Sequence, residues 1–398
     1  MKVLIISHMY PTLFKENHGL FVHQQVQELI NNGCKIKVIS PVARVPFFLK
    51  YVKKKWLQYA KLPQNAVIDG VEVYYPRYLE FPRSIFFASS GKRMFYGINK
   101  LIKTIHDEFP FDIIHAHVAL PDGWVAMKAA QKFNKPFIIT IHGQDFQRTI
   151  FINKRCRFQI QDVIYHSVRT VCVSNKLKCI GVRELHIGNE KMVVIPNGIN
   201  PDIFIHDSGE PKRVSFRNKI VILSVSHLIE TKGVDYNIQA VFTLKKDYPK
   251  LEYHIIGDGR ERQKLTRLVQ DLGLQDRVKF LGQLPYNHVI KHISNCDIFS
   301  LPSWEEGFGI VYLEAMGHGI PMIGCENQGI ADVVRNGVNG LLVAPKSSDA
   351  VAKALDFLLR NPKEAKRIGK RGREIVLKEY TWEKNVQRTI ELYREVIC

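Results

Sequence analysis

The sequence predicts an α/β protein of two doubly wound parallel-sheet domains, and three observations carry that prediction. The chain has 398 residues, 45% of them apolar and 24% charged, enough for two substantial cores and too hydrophobic for disorder. Short Val/Ile/Leu runs alternate with longer helical patterns. A turn-rich break, Ile195-Pro196-Asn197-Gly198-Ile199-Asn200-Pro201, falls near the middle and interrupts any regular element.

In the first half, strand-like runs occupy residues 3–7, 35–40, 113–116, 137–141 and 170–174. The second half repeats the plan with runs at 220–224, 251–256, 278–281, 298–301 and 322–324, and with helical patterns such as 264–272 and 350–359 between them. Near-continuous apolar strands separated by helices describe parallel sheets covered on both faces. The expected domains are therefore 1–200 and 206–380. The remainder, 381–398, carries Trp382, Val386, Ile390, Tyr393 and Ile397 at helical spacing. No strand follows it, so it is expected to pack back on the first domain.

Composition narrows the setting. The seven cysteines include no C-x-x-C pair, which argues against a zinc ribbon or disulfide framework and for a reducing cytosol. The N-terminal apolar run is four residues long and no stretch approaches the ~20 apolar residues of a membrane span, so the expectation is a cytoplasmic protein, neither secreted nor integral. Basic residues are unevenly placed: residues 1–200 hold 28 Lys/Arg against 13 Asp/Glu, and residues 201–398 hold 29 against 25. Only the first half is expected to meet something anionic, whether nucleic acid, an acidic membrane or a phosphorylated substrate.

The sharpest local signal is Glu306-Gly307-Phe308-Gly309 followed by a helical run that contains Glu314. The glycine turn brings backbone N–H groups to a helix start, where the dipole also favours an anion such as a diphosphate. Glu314 lies roughly 9 Å further along the axis at about 1.5 Å per residue. Two carboxylates so spaced can bracket a diphosphate and each accept a pair of hydroxyls, one ribose and one hexose, which matches a nucleotide sugar. On spacing alone they would read as ordinary solvated acids.

With the segments Asp112-Ile113-Ile114-His115-Ala116-His117, His142-Gly143-Gln144-Asp145, Val194-Ile195-Pro196-Asn197-Gly198, Lys232-Gly233-Val234-Asp235 and Ile256-Gly257-Asp258-Gly259, the chain resembles the retaining glycosyltransferases of family four, of the bacterial surface-polysaccharide type. The resemblance covers nearly the whole chain. It implies the GT-B architecture, two Rossmann-like domains facing a cleft, with acceptor on the first and donor on the second. It implies that Glu314 binds the ribose, Glu306 the transferred sugar, Lys232 the diphosphate and His142 the sugar near the reacting centre, with Gly307, Phe308 and Gly309 in the donor loop. Gly19 would approach the phosphates, although relatives often carry two glycines where this chain has His18-Gly19. Where relatives commonly carry arginine, this chain has His227, which cannot offer a bidentate fork. Either His227 donates one hydrogen bond or a neighbour such as Arg260 supplies charge.

A departing nucleoside diphosphate needs a metal or fixed cationic donors. The chain has no D-x-D pair, so Lys232 and the helix start are the expected electrophiles, with no metal or other cofactor. His115, His117 and His142 also permit a three-histidine zinc reading. A substrate-facing His142 oriented by Asp145 is the preferred one, with His115 open between site and core. The run 255–262 imitates a dinucleotide fingerprint but has Arg262 at the third glycine position, which disfavours a dehydrogenase.

The segment 47–61 mixes aromatics with five lysines, and 83–93 is also basic. Either can lie on an anionic leaflet or simply pack as an amphipathic helix. The expected function is transfer of a sugar from a nucleoside diphosphate sugar to a glycan or lipid-linked acceptor, on the inner face of the cell membrane. A GT-B epimerase or hydrolase is the alternative within the architecture. A nucleic-acid-binding protein is the alternative outside it, and no nucleic-acid motif appears.

Overall fold

The computed structural model describes residues 1–44, 54–81, 85–204 and 219–397. The chain forms two compact units, Met1–Pro196 with Trp382–Cys398, and Asn197–Thr381.

The first unit is built on an eight-stranded sheet in the spatial order Met192–Val194, Arg169–Cys172, Phe137–Ile141, Ile113–His117, Lys2–Ile6, Lys35–Ile39, Val71–Tyr74, Asn65–Ile68. All pairs are parallel except the last, where Asn65–Ile68 turns back on Val71–Tyr74. That hairpin turns at Asp69-Gly70, both at positive φ (45° and 80°), the type I′ geometry that Asp-Gly favours. The strands Ile113–His117 and Phe137–Ile141 are buried at every position, as strands covered on both faces must be.

Val3 and Ile5 join a core with Val22 and Val26 of helix Leu20–Asn31 and with Val386, Ile390 and Tyr393 of the C-terminal helix Trp382–Ile397. Burying each such side chain contributes about 1.5–3 kcal/mol. Polar contacts hold the same helix: Asn385 Nδ2 donates to the Pro196 carbonyl (2.7 Å) and Gln25 Nε2 to Asn385 Oδ1 (2.6 Å). Ile397, expected in this stripe, is 39% exposed, because it lies in the last turn beyond the sheet contacts.

The second unit has a six-stranded parallel sheet in the order Val278–Gly282, Leu251–Ile256, Ile220–Val225, Ile298–Ser300, Met322–Cys325, Leu341–Val343. Helices Val234–Leu244 and Ser348–Arg360 pack on its core. Inside it, Asn237 Nδ2 donates to the Ser300 carbonyl (2.9 Å) and Tyr253 Oη (3.1 Å), while Ser300 Oγ donates to Asn237 Oδ1 (2.7 Å). This buried network ties helix Val234–Leu244 to the central strands at the level where their following loops begin.

Both sheets reverse strand order at one point, between Lys2–Ile6 and Ile113–His117 in the first unit and between Ile220–Val225 and Ile298–Ser300 in the second. In open α/β sheets ligands bind beyond the carboxyl ends of strands at such switch points.

Candidate functional site

In the second unit the two loops beyond the switch point meet. Lys232 Nζ donates to Glu306 Oε2 at 2.6 Å, with both side chains about one-sixth exposed. Backbone contacts fix the pairing: the Thr231 carbonyl accepts from Trp304 N (3.0 Å) and Ser303 Oγ (3.1 Å). Gly233, at φ 68°, lies so close to Pro302 that a Cβ would stand 2.4 Å from its carbonyl oxygen, so no larger residue fits. Glu306 N donates to Gln328 Oε1 at 3.1 Å.

Gly309, in the left-handed region, precedes helix Ile310–Gly317, whose first N–H groups lack intrahelical partners. Glu314 is buried in this helix and accepts from Tyr286 Oη at 2.7 Å. Burial raises its carboxyl to about 7, against the lowering effect of Tyr286. Gly307 is buried, and Phe308 is 2% exposed with its ring toward Tyr380. The Phe308 side chain belongs to the interior, which leaves its backbone to serve the loop. His227 is exposed at the end of Ile220–Val225. Arg260, the alternative source of charge, lies 3.8 Å from Glu261 and is mostly exposed.

In the first unit the same topological position holds two imidazoles, His117 and His142, that burial keeps uncharged. His142 Nε2 and His117 Nδ1 are 3.0 Å apart, their rings nearly parallel, and Phe21 packs on His142 at 4.7 Å. Gly19 precedes the helix that carries Phe21, and a Cβ on it would fall 2.2 Å from the Met9 carbonyl oxygen. Burial pushes His142 down to about 3 and His117 well below its ordinary value, with His115 and His142 adding repulsion at His117.

One expectation changes here, and one open alternative closes. Asp145 does not orient His142: its oxygens accept from Ala119 N (3.2 Å) and Leu120 N (3.3 Å), because it serves the turn after Ile113–His117. It is buried and pushed up to about 7 by desolvation, so it is not placed to hold a donor. The three histidines do not converge either. His115 places Nδ1 2.6 Å from Tyr393 Oη and Nε2 2.7 Å from Thr140 Oγ1, which makes it a satisfied core residue.

Sequence reasoning missed Tyr286 and Gln328, and it missed His8 with Asp122. His8 follows the first strand. Its backbone N and ring Nδ1 both approach Asp122 Oδ2, at 3.0 and 2.8 Å. Burial alone would lower His8, but the Asp122 carboxylate overrides it and leaves the imidazole raised. For His8 and Asp122 the signal available was positional: each follows a strand at the first unit's switch point. The segment 47–61 falls partly outside the described residues, which begin again with helix Lys54–Lys61.

Comparison with known proteins bears on the chemistry. Residues 19–203 match the model described as Glycosyltransferase Family 4, and residues 208–375 match Glycosyl transferases group 1. The chain belongs to glycosyltransferase family 4. A Bacillus subtilis protein named as a glycosyltransferase of teichuronic acid biosynthesis is 28% identical over 89% of this chain and 88% of its own. The N-acetyl-alpha-D-glucosaminyl L-malate synthase of Bacillus anthracis is 29% identical over 72% and 75%. Among solved structures, the sucrose-phosphate synthase of Thermosynechococcus elongatus superposes with a TM-score of 0.80 at 21% identity, covering 99% and 98% of the two chains. Anabaena HepE in complex with UDP-glucose gives 0.73 at 20%, covering 99% and 100%. This glycosyltransferase has the GT-B fold.

Proposed function

We propose that the enzyme transfers a sugar from a nucleoside diphosphate sugar to a glycan or lipid-linked glycan, with retention of configuration, at the inner face of the cell membrane. The observation that carries the donor reading is the Lys232–Glu306 contact at the second unit's switch point, with Glu314 five positions into the adjoining helix. Lys232 and the helix N-terminus stabilise charge gathering on the departing diphosphate, acting through fixed donors. Glu306 takes hydroxyls of the transferred sugar and Glu314 the ribose diol. His227 contributes a single hydrogen bond.

The acceptor attacks from the face the diphosphate leaves: the acceptor oxygen bonds to the anomeric carbon, the C–O bond to phosphate breaks, and the phosphate oxygen takes the hydroxyl proton. The first unit carries the acceptor, and the surface-polysaccharide relative supports a glycan acceptor by analogy.

A thermal-shift screen of nucleotide sugars tests the reading, since a donor at 100 times its dissociation constant adds about 2.7 kcal/mol of stability. The donor so found should release nucleoside diphosphate faster when acceptor is added, and turnover should survive EDTA. Conversion of the donor sugar with no acceptor dependence would favour the epimerase. Loss of turnover in EDTA with recovery on Mg²⁺ would refute the metal-free site.

A further inference from the structure

We propose that the corner between helices Ile150–Ile152 and Lys154–His166 of the first unit is the point at which this protein inserts into an anionic lipid surface. The proposal gives residues to the membrane attachment suggested above and rests on it.

Phe151, Ile152 and Phe158 are 58%, 54% and 63% exposed. They are not the overflow of a crowded core. Ile150, Cys156, Ile160, Val163 and Ile164 face inward, so this helix pair has a complete buried stripe and a second, separate apolar group on the solvent side. The corner is also rigidly presented. Asn153 adopts extended backbone and its Oδ1 accepts from Cys156 N at 2.8 Å, a side-chain cap that fixes where the second helix starts and holds Phe151 and Ile152 at the outside of the bend.

Charge identifies the partner. Between Asp145 and Asp162 there is no acidic residue, and Arg148, Lys154, Arg155 and Arg157 flank the apolar group. Lys154 and Arg155 are exposed, whereas Arg157 donates to the Glu184 carbonyl and is held along the helix. Exposed apolar side chains flanked in sequence by base are suited to acyl chains and anionic headgroups. Single-stranded nucleic acid would also meet the bases, but it binds by stacking on π faces. Ile152 offers none and sits beside Phe151 at the outermost turn.

Vesicle co-sedimentation decides the matter, using phosphatidylcholine vesicles with and without phosphatidylglycerol. Wild-type protein should bind the anionic vesicles and release as salt rises. A Phe151→Ser/Ile152→Ser/Phe158→Ser variant should bind at least about tenfold more weakly while keeping the salt dependence, because the buried apolar area is lost and the charge is not. Lys154→Glu/Arg155→Glu should instead flatten the salt dependence. Melting temperature and nucleoside diphosphate release should match wild type in both, and Ile152→Lys alone serves as a milder variant should the triple one misfold. Equal vesicle binding by wild type and the triple variant would overturn this corner while leaving attachment elsewhere intact. No binding of wild type to either vesicle would overturn attachment itself. Loss of oligonucleotide binding, with vesicle binding unchanged, would make the surface a nucleic-acid site.

Discussion

At its switch point the second unit keeps two ions in contact, Lys232 on Glu306, partly open to water. The first unit, at the equivalent place in its own sheet, keeps the His8–Asp122 pair and, beside it, imidazoles and a carboxyl that burial drives toward neutrality: His115 and His142 down to about 3, Asp145 up to about 7. The same strand-and-loop plan thus supports a lysine–carboxylate pair in one unit and, in the other, a cluster of mostly uncharged polar groups around a histidine–carboxylate pair. What differs is the following loop. Glycine and serine let the Lys232 loop lie against 302–304 with side chains outward, whereas the loops after Ile113–His117 and Phe137–Ile141 fold inward over their own polar groups. A lysine at the loop suits a diphosphate and uncharged imidazoles suit hydroxyls, which is the division of donor and acceptor work that the proposed function expects.

The contrast can be broken by experiment. Lys232→Ala should lower turnover about 10²–10³-fold, the scale of losing one oxyanion donor, and should also leave Glu306 without its cation. Steady-state release of nucleoside diphosphate checks this. Wild-type turnover in that variant would remove the charged half of the comparison.

Asp145→Asn probes the neutral half through stability. The folded carboxyl at about 7, against 3.8 ordinarily, holds a proton the unfolded chain has lost, so its contribution is complete below pH ~4 and is lost as pH rises through 7, at up to about 1.4 kcal/mol per pH unit. The lowered histidines act in the other direction, adding stability as pH rises toward 6.5. The informative quantity is therefore the difference between wild type and variant, measured by denaturant unfolding from pH 5 to 8, which should shrink as pH rises. A pH-independent difference would mean that Asp145 is already ionised in the fold.

The smallest effect expected is at Glu314. On the proposed reading a ribose diol donates to the ionised carboxylate, and burial raises that carboxyl to about 7 in the free protein. Donor affinity should therefore rise up to about tenfold between pH 6 and 8, with proton release on binding. Calorimetry in buffers of different ionisation enthalpy measures both, and Glu314→Gln should bind more weakly with a flat profile. Proton uptake instead of release would place the diol elsewhere.

Residues close in sequence were the legible ones. The Glu306–Glu314 segment reads as loop and helix because glycine turn and helical run adjoin, and most parallel strands announce themselves as apolar runs, whereas the three-residue strands Met192–Val194 and Leu341–Val343 were too short to stand out. The hairpin at Asp69-Gly70 carried its turn signal, yet its strands NAVI and VEVY alternate at a sheet edge and lack the continuous apolar character sought. His8 and Asp122 stand 114 positions apart and Tyr286 and Glu314 stand 28 apart, so only the completed sheet and helix packing join them. Asp145 was misassigned because proximity to His142 in sequence says nothing about which way a turn carboxylate faces. The aromatic–lysine density of 47–61 drew attention for composition, whereas outward presentation of Phe151, Ile152 and Phe158 depends on which helix face the core has already claimed.

The C-terminal helix has a consequence for the order in which the protein is made. Trp382–Ile397 completes the first unit's core: Tyr393 reaches His115, Asn385 reaches Pro196, and Val386 lies among the first strands. During synthesis the N-terminal unit must therefore wait, one face uncovered, while residues 197–381 emerge and close their own contiguous core. The later-made unit is the first that can finish folding, which reverses the usual N-to-C sequence of domain completion. Emergence of Trp382–Ile397 becomes the step that seals the first unit.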